Sequence, residues 1–376
     1  MEQTELHFTP SLCISHSCNL DCVYCYQKHS NENKMTFETA KNAINWIFEN
    51  VPDYADGVEI GFIGGEPLLE FQLMQQVFEY VMDFKPVVPI VFYATTNATL
   101  LTDDMKAWFT ERKDIFWLGL SIDGTKKTHD YNRSNSFDKM DVDFFLKNWP
   151  EQSIKMTLSE YSLGRLAKDI KFIHSLGFNK IGGVNLAEGS FNWNKDEYIK
   201  LLIPQLVELV EFYVENDHLP PNQMLEKKID ICEYKKKREK WCGIGTGTPF
   251  FDVDGKRYPC SFITPMTFPQ NELGDILKTD FSNDENFIDD DCFNNCYIYP
   301  ICPCCLGADY MVNKTFKKRN KSKCRIQKLI TLFAADMQAK LIQKNPKRYD
   351  DTTLYHTIEA IKKIRSLYLD EFKGFY

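Results

Sequence analysis

The thirteen cysteines of this 376-residue chain are strongly segregated: four lie between positions 13 and 25, none from 26 to 231, and nine between 232 and 324. Thiols used only as small packing residues would be scattered, so each group is expected to converge on something that it binds. The tightest set is Cys18-Asn19-Leu20-Asp21-Cys22-Val23-Tyr24-Cys25, three thiols in the spacing C-x3-C-x2-C. A loop this short can aim all three sulfurs at one iron–sulfur cube, which four thiolates ordinarily close. Three local ligands leave one iron open to a small molecule. Zinc sites more often pair two knuckles of Cys or His, and no second knuckle follows until late in the chain. Zinc and simple core packing are the alternatives.

Composition narrows the setting. A net charge of −8 argues against a general nucleic-acid surface. No apolar stretch approaches the ~20 residues that span a bilayer, so no membrane role is expected. The first residues, Met1-Glu2-Gln3-Thr4-Glu5, lack the basic-then-apolar pattern of a secretory signal. A cytoplasmic location is therefore expected, where disulfides are rare and metal or redox roles for cysteine take precedence.

Between the cysteine groups, short β-like runs alternate with helical patterns. Strands are expected at His7–Ile14, Val58–Ile63, Pro89–Thr96, Ile115–Ile122, Ser153–Leu158 and Phe178–Val184. Helices are expected at Phe37–Asn50 (capped by Thr36), Leu69–Phe84, Thr102–Lys113, Lys139–Trp149, Ser162–Leu176 and Asp196–Glu215. Repeated βα units predict a parallel sheet with helices outside. Six units are too few for an eight-stranded barrel. In such sheets the reaction loops gather at the C-terminal ends of the strands, and the cysteine loop follows the first strand.

Three further strand ends carry signals. Gly64-Gly65-Glu66-Pro67 follows the second strand; bare glycines allow close backbone approach, and Glu66 can receive an ammonium group. Thr95-Thr96-Asn97-Ala98-Thr99 follows the third. Ser121-Ile122-Asp123-Gly124, with His129, Asp130 and Arg133, follows the fourth and supplies groups suited to a ribose and a carboxylate.

Together these phrases resemble the radical S-adenosylmethionine (SAM) enzymes. The resemblance implies an α/β fold, a partial (β/α)6 TIM-like barrel over residues 1–226, with a [4Fe–4S] cluster on Cys18, Cys22 and Cys25 and SAM on the open iron. It implies that Gly64, Gly65, Glu66 and Pro67 meet the SAM amino group, and that Asn97 belongs to a TNGTLL-like stretch in which Ala98 replaces glycine and removes a positive-φ option. Ser121 and Arg133 are assigned to the SAM carboxylate or ribose and Tyr24 to the adenine edge. Asp123 faces the substrate or holds the turn. The resemblance implies that the cluster passes an electron to SAM, yielding methionine and a 5′-deoxyadenosyl radical that abstracts hydrogen from substrate.

Residues 227–325 change character. Cys242, then Gly255, four residues and Cys260, followed by Cys292, Cys296, Cys302, Cys304, Cys305 and Cys324, resemble the cysteine-rich SPASM extension of peptide-modifying members. The resemblance implies two auxiliary Fe–S clusters, of [4Fe–4S] type. It assigns Cys242, Cys260 and Cys304 or Cys305 to the nearer. Cys292, Cys296, Cys302 and Cys324 go to the farther. Cys232 is a candidate fourth ligand of the nearer cluster, which is otherwise open. The spacing departs from the usual one, with C-x3-C for C-x2-C and adjacent Cys304-Cys305. Cys13 is expected to be a packed core thiol. Residues 326–376 are expected to form two helices packed on the barrel, and the basic runs 235–240 and 314–323 to be solvated faces.

The resulting expectation is an oxidoreductase that matures a ribosomally made peptide (RiPP), forming a thioether or carbon–carbon crosslink in a precursor peptide or protein. Its alternatives are an anaerobic sulfatase maturase, a peptide epimerase and a non-enzymatic Fe–S electron carrier or adaptor. Sulfatase maturases place an Asp after the cysteine where this chain has Ser261. A flavodoxin- or ferredoxin-like one-electron reductant is the expected partner. No winged-helix segment precedes Leu12, so peptide recognition is expected on the barrel and C-terminal surface or through a separate leader-binding protein.

Overall fold

The computed structural model of the protein describes residues 8–31, 33–84, 88–189, 191–234 and 236–375. The chain divides into two compact units. One comprises Met1–Ser121, Arg133–Gln152 and Cys242–Asn283; the other comprises Ile122–Asn132, Ser153–Trp241 and Asp284–Tyr376. Each unit thus takes residues from both the βα stretch and the cysteine-rich stretch.

In the first unit, β1 (Ser11–Ser15), α1 (Phe37–Glu49), β2 (Val58–Gly64), α2 (Phe71–Phe84), β3 (Ile90–Thr96), α3 (Asp103–Glu111) and β4 (Phe116–Leu120) alternate in order. Thr36 and Thr102 cap α1 and α3, their hydroxyls accepting from Thr39 N–H and Met105 N–H. The four strands pair in parallel in the order β4-β3-β2-β1. Their registers bring Ile60 opposite Phe92 and Phe92 opposite Phe116. Phe62, Phe92 and Phe116 are fully buried, with ring centroids 5.7 to 6.1 Å apart. Phe78 of α2 and Trp108 and Phe109 of α3 cover this stack edge-on or tilted.

The second unit contains α4 (Lys126–Asn132), and the first resumes with α5 (Val142–Asn148). Then β5 (Lys155–Leu158), α6 (Leu166–Ser175), β6 (Gly183–Leu186), α7 (Asp196–Glu215) and α8 (Ile231–Tyr234) follow in the second. β5 and β6 form their own two-stranded parallel sheet. The expected six parallel strands are therefore four in one sheet and two in another. The sixth strand also starts later than expected. The stretch from Phe178 is a loop in which Phe178 and Ile181 are buried and Asn179 and Lys180 exposed, and Gly182 N–H donates to Ser153 Oγ at 2.6 Å just before β6 begins. Residue 7, placed in the first expected strand, lies outside the described residues.

The late segments rejoin both units. In the first, β7 (Phe250–Phe251) extends the sheet by pairing in parallel with β1, and β8 (Arg257–Tyr258) adds an antiparallel edge. Gly255, at φ +79°, makes the intervening hairpin turn. α9 (Gln270–Ile276) completes it. In the second unit, α10 (Asp290–Asn295), α11 (Leu306–Asn313), α12 (Cys324–Lys344) and α13 (Asp351–Phe372) follow, α12 packing on α7 and α13. The break between the last two falls at Asn345-Pro346, where proline cannot continue the helix.

The two basic runs are not merely solvated. Arg238 pairs with Glu285 and Asp290 and covers Phe293, and Lys240 pairs with Asp284. Lys321 and Lys323 are likewise paired. None of the described helices is long and apolar enough to cross a membrane.

Candidate active site

The cysteine loop leaves the end of β1 and is anchored on three sides within the first unit. On one side is the end of β2: Gly65 N–H donates to Ser15 O at 3.0 Å and Glu66 N–H to Ser17 O at 2.9 Å. A Cβ on Gly64 would lie 2.5 Å from Ser15 O, and one on Gly65 would lie 2.3 Å from Ser17 O and 2.8 Å from Cys18 Cβ. The glycine pair is thus required by the cysteine loop itself, which rests directly on it.

Glu66 differs from the open carboxylate expected. It is 1% exposed, its Oε1 accepts from Leu68 N–H and Thr96 Oγ1, and its Oε2 accepts from Asn97 N–H at 2.8 Å. It ties the end of β2 to the end of β3, and Pro67 opens a short 3-10 turn behind it. Burial raises its pKa, while the bonds from Asn97, Thr96 and Leu68 oppose the rise.

The second anchor is the turn after β3. Asn97 Nδ2 donates to Asn19 Oδ1 at 2.9 Å, Asn19 Nδ2 donates to Thr99 Oγ1 at 2.8 Å, and Thr99 Oγ1 donates to Asn97 Oδ1 at 2.7 Å. This closed ring fastens the cysteine loop through Asn19. Ala98 takes φ +61° and is fully buried. The substitution for glycine therefore keeps the left-handed turn, with the strain of an L-residue there.

The third anchor is the segment after α4. Asp21 N–H donates to Ser134 Oγ at 2.9 Å, and Arg133 lies with its guanidinium 5.5 Å from the Tyr24 ring centroid. Tyr24 and Arg133, both singled out in the sequence, are brought together. Ser121 follows β4, its N–H donating to Thr96 O.

Asp123 belongs to the second unit and holds a turn there. Its Oδ1 accepts from Thr157 N–H and its Oδ2 from Asn132 Nδ2, and it is fully buried. Gly124, at φ +113°, packs against Asp169, whose Cβ would be 2.2 Å from an added methyl. His129 accepts from Asp123 N–H at 3.4 Å, and Asp130 pairs with Lys126.

The three loop thiols lie at intermediate or exposed positions, open to a ligand. Burial raises Cys18 and Cys25, with the Arg133 charge opposing the rise at Cys25. A bound metal would reverse this and hold the sulfurs as thiolates. Three thiols on a glycine-braced loop fit the three protein ligands of an open cluster.

Several site residues escaped the sequence reading. His29 Nε2 lies 3.3 Å from Cys25 Sγ, and its Nδ1 lies 3.2 Å from His16 O. His16 Nε2 in turn meets Asp252 Oδ1 at 2.6 Å, and Cys13 completes a buried trio with ligand atoms within 4.8 Å of one another. The short His–Asp contact lets these groups satisfy each other, and burial keeps Cys13 a thiol. Polar residues at short offsets from the cysteines, such as Asn19 and His29, were the available signal. Asp252 is 236 positions from His16 and gave none.

Of the later cysteines, Cys242 and Cys260 belong to the first unit, close enough for their charges to interact; burial pushes Cys260 up to about 11. In the second unit, Cys292, Cys296, Cys302, Cys304, Cys305 and Cys324 all line one cavity of 340 Å³. Asp289 caps α10 by accepting from Cys292 N–H at 3.0 Å. Cys232, a candidate for the nearer cluster, lies near enough to Cys296 for their charges to interact. A second cavity of 580 Å³ is lined by Cys304, Cys305, Glu188, Lys227 and Trp241.

Comparison with known proteins accords with this geometry. Residues 12–142 match the Radical SAM superfamily. The chain is 26% identical over 283 residues to an uncharacterized protein of Methanocaldococcus jannaschii, covering 73% of this chain and 88% of that one. It is 26% identical over 300 residues to a cysteine-type anaerobic sulfatase-maturating enzyme of Clostridium perfringens, covering 72% and 79%. It is 24% identical over 278 residues to the antilisterial bacteriocin subtilosin biosynthesis protein AlbA of Bacillus subtilis, covering 72% and 57%. Among solved structures, anSMEcpe with bound AdoMet has a TM-score of 0.68 at 18% identity, over 94% of this chain and 98% of that chain. SuiB of Streptococcus suis, bound to precursor peptide SuiA, has a TM-score of 0.55 at 15% identity, over 84% and 75%. Residues 12–142 are thus similar to the radical SAM superfamily, and the chain as a whole is similar to a sulfatase-maturating enzyme and to a bacteriocin biosynthesis protein.

Proposed function

We propose that the protein is a radical SAM enzyme that modifies a ribosomally made peptide, forming a thioether or carbon–carbon crosslink. The observation that carries the reading is the cysteine loop, braced by Gly64-Gly65, the Asn19–Asn97–Thr99 ring and the Tyr24–Arg133 contact. Bound there, the cluster and SAM would supply a carbon-centred radical able to take hydrogen from an unactivated position. Cys18, Cys22 and Cys25 would hold the cluster. Arg133 and Ser121 would orient the SAM carboxylate or ribose, and Tyr24 would sit at the adenine edge. Gly64 and Gly65 keep the loop seated, and Glu66 with Pro67 fixes the strand end from which the amino group is met. Asp123 shapes the neighbouring turn.

The peptide part of the reading is supported by AlbA and SuiB among the similar proteins and by the later cysteines. Six thiols around one cavity exceed what a single four-coordinate ion needs. We assign Cys292, Cys296, Cys302 and Cys324 to one auxiliary cluster. Cys242 and Cys260 are assigned to the other. A second reading, sulfatase maturation, is favoured by the Clostridium perfringens relative and opposed by Ser261 after Cys260.

The test is anaerobic reconstitution, reduction with dithionite and addition of SAM, followed by chromatography for 5′-deoxyadenosine. The parent should form it and Cys22→Ala should not. A parent with no product above background would favour an electron carrier. Mass spectrometry of candidate peptides and a sulfatase-derived peptide after co-expression separates the two enzymatic readings: a crosslink supports the first, formylglycine the second.

A further inference from the structure

We propose that Lys321 is a positioning residue that raises the reduction potential of the cluster held by Cys292, Cys296, Cys302 and Cys324. The inference rests on the reading of these cysteines as cluster ligands. Lys321 Nζ lies 2.8 Å from Cys292 Sγ, a charge-assisted hydrogen bond to a ligand sulfur. The ammonium is held in place by Asp291 at 3.1 Å and Asp289 at 3.5 Å.

Asp289 does two things at once. Its Oδ1 caps the helix that carries Cys292, and its Oδ2 accepts from Arg319 N–H at 2.8 Å, two residues before Lys321. One carboxylate therefore fixes both the sulfur and the strand of chain that presents the cation. A second positive group backs it: Arg319, half-buried over Tyr299, with its Nη1 donating to Cys302 O at 3.2 Å.

A cube with four thiolates is anionic and gains one more negative charge on reduction. A fixed cation at a ligand sulfur favours the more negative state, and hydrogen bonds to sulfur act in the same direction. The redox step is a single electron. It comes from the substrate, after hydrogen abstraction and loss of a proton, or from dithionite in the test. It adds to the cluster, no bond of the cluster breaks, and Lys321 keeps its proton.

The test is a redox titration followed by electron paramagnetic resonance. It uses full-length protein with Cys18, Cys22 and Cys25 all changed to Ala, so that only the later cysteines hold iron. The far species is the signal lost on a further Cys292→Ser change. At a poise equal to the parent's midpoint, Lys321→Met should shift the oxidised-to-reduced ratio of that signal at least tenfold towards oxidised, which is 59 mV for one electron. Lys321→Arg should stay within about threefold of the parent, a rescue that a merely structural role does not predict. Should Lys321→Met fail to load iron, the neutral donor Lys321→Gln must show the same shift. A Met or Gln variant that loads iron and titrates with the parent overturns the assignment of Lys321. A parent background that binds no iron, or one without a Cys292-dependent signal, overturns the cluster reading beneath it.

Discussion

Gly65→Ala isolates the contact on which the cysteine loop rests. The added Cβ would lie 2.3 Å from Ser17 O, where ordinary contact begins at 3.4 Å, so the loop must retreat by about 1 Å. That retreat strains two bonds at once, Gly65 N–H to Ser15 O at 3.0 Å and Glu66 N–H to Ser17 O at 2.9 Å. Ser15 is fully buried, and a buried polar group left without its partner costs about 1–3 kcal/mol. The two bonds together put the loss of stability at about 2–6 kcal/mol. A displacement near 1 Å at a site of chemistry lowers rates on the order of 100-fold. Urea unfolding and the initial rate of SAM-dependent 5′-deoxyadenosine formation measure the two effects separately. Gly274→Ala in α9 is the control: nothing lies within 4 Å of its added methyl, so stability should hold or rise by about 0.5–1 kcal/mol. A Gly65→Ala protein within about 1 kcal/mol of the parent, cleaving SAM at the parent rate, would refute the reasoning.

Three further outcomes are expected. Asn19→Ala opens the ring to Asn97 and Thr99 and should lower stability by about 1–2 kcal/mol in urea unfolding, and speed iron loss to a chelator; unchanged iron retention would show that the ring does not hold the loop. Phe116→Ala removes the hub of the aromatic stack and should cost about 3–5 kcal/mol by the same unfolding assay, a value under about 1 kcal/mol counting against that core. Asp309 is buried and its pKa is raised by burial from 3.8 to about 6. The folded state therefore binds its proton more tightly than the unfolded state, a stabilising contribution that is complete below pH 3.8 and lost as pH rises through about 6. Asp309→Asn should flatten the pH dependence of unfolding across that window and add up to about 3 kcal/mol at pH 7; a profile identical to the parent's would be inconsistent with this.

Local signals were the legible ones. Thr36 before an amphipathic run announced α1, and the long apolar face from Asp196 announced α7, because helix caps and 3.6-residue periodicity lie within a few neighbouring residues. The run at Phe178 misled, since Phe178 and Ile181 are buried from a loop as they would be from a strand, and the strand waits for the glycines at 182 and 183. Glycine at 64 and 65 was legible as a requirement, though its reason was not: the neighbour is the cysteine loop, which only the parallel pairing of β1 with β2 brings there.

By itself the sequence determined the chemistry on offer: three thiols in one short loop, a second set of thiols far downstream, and a parallel α/β sheet between them. Those properties depend on residue type and short spacing. The tertiary structure decided which polar groups face which. It turned Glu66 into a brace between strand ends, closed His16 onto Asp252, and set Lys321 against Cys292. Such pairs join residues from 29 to 236 positions apart, and a contact between groups so distant is chosen by packing and strand register, which leave no local pattern in the chain.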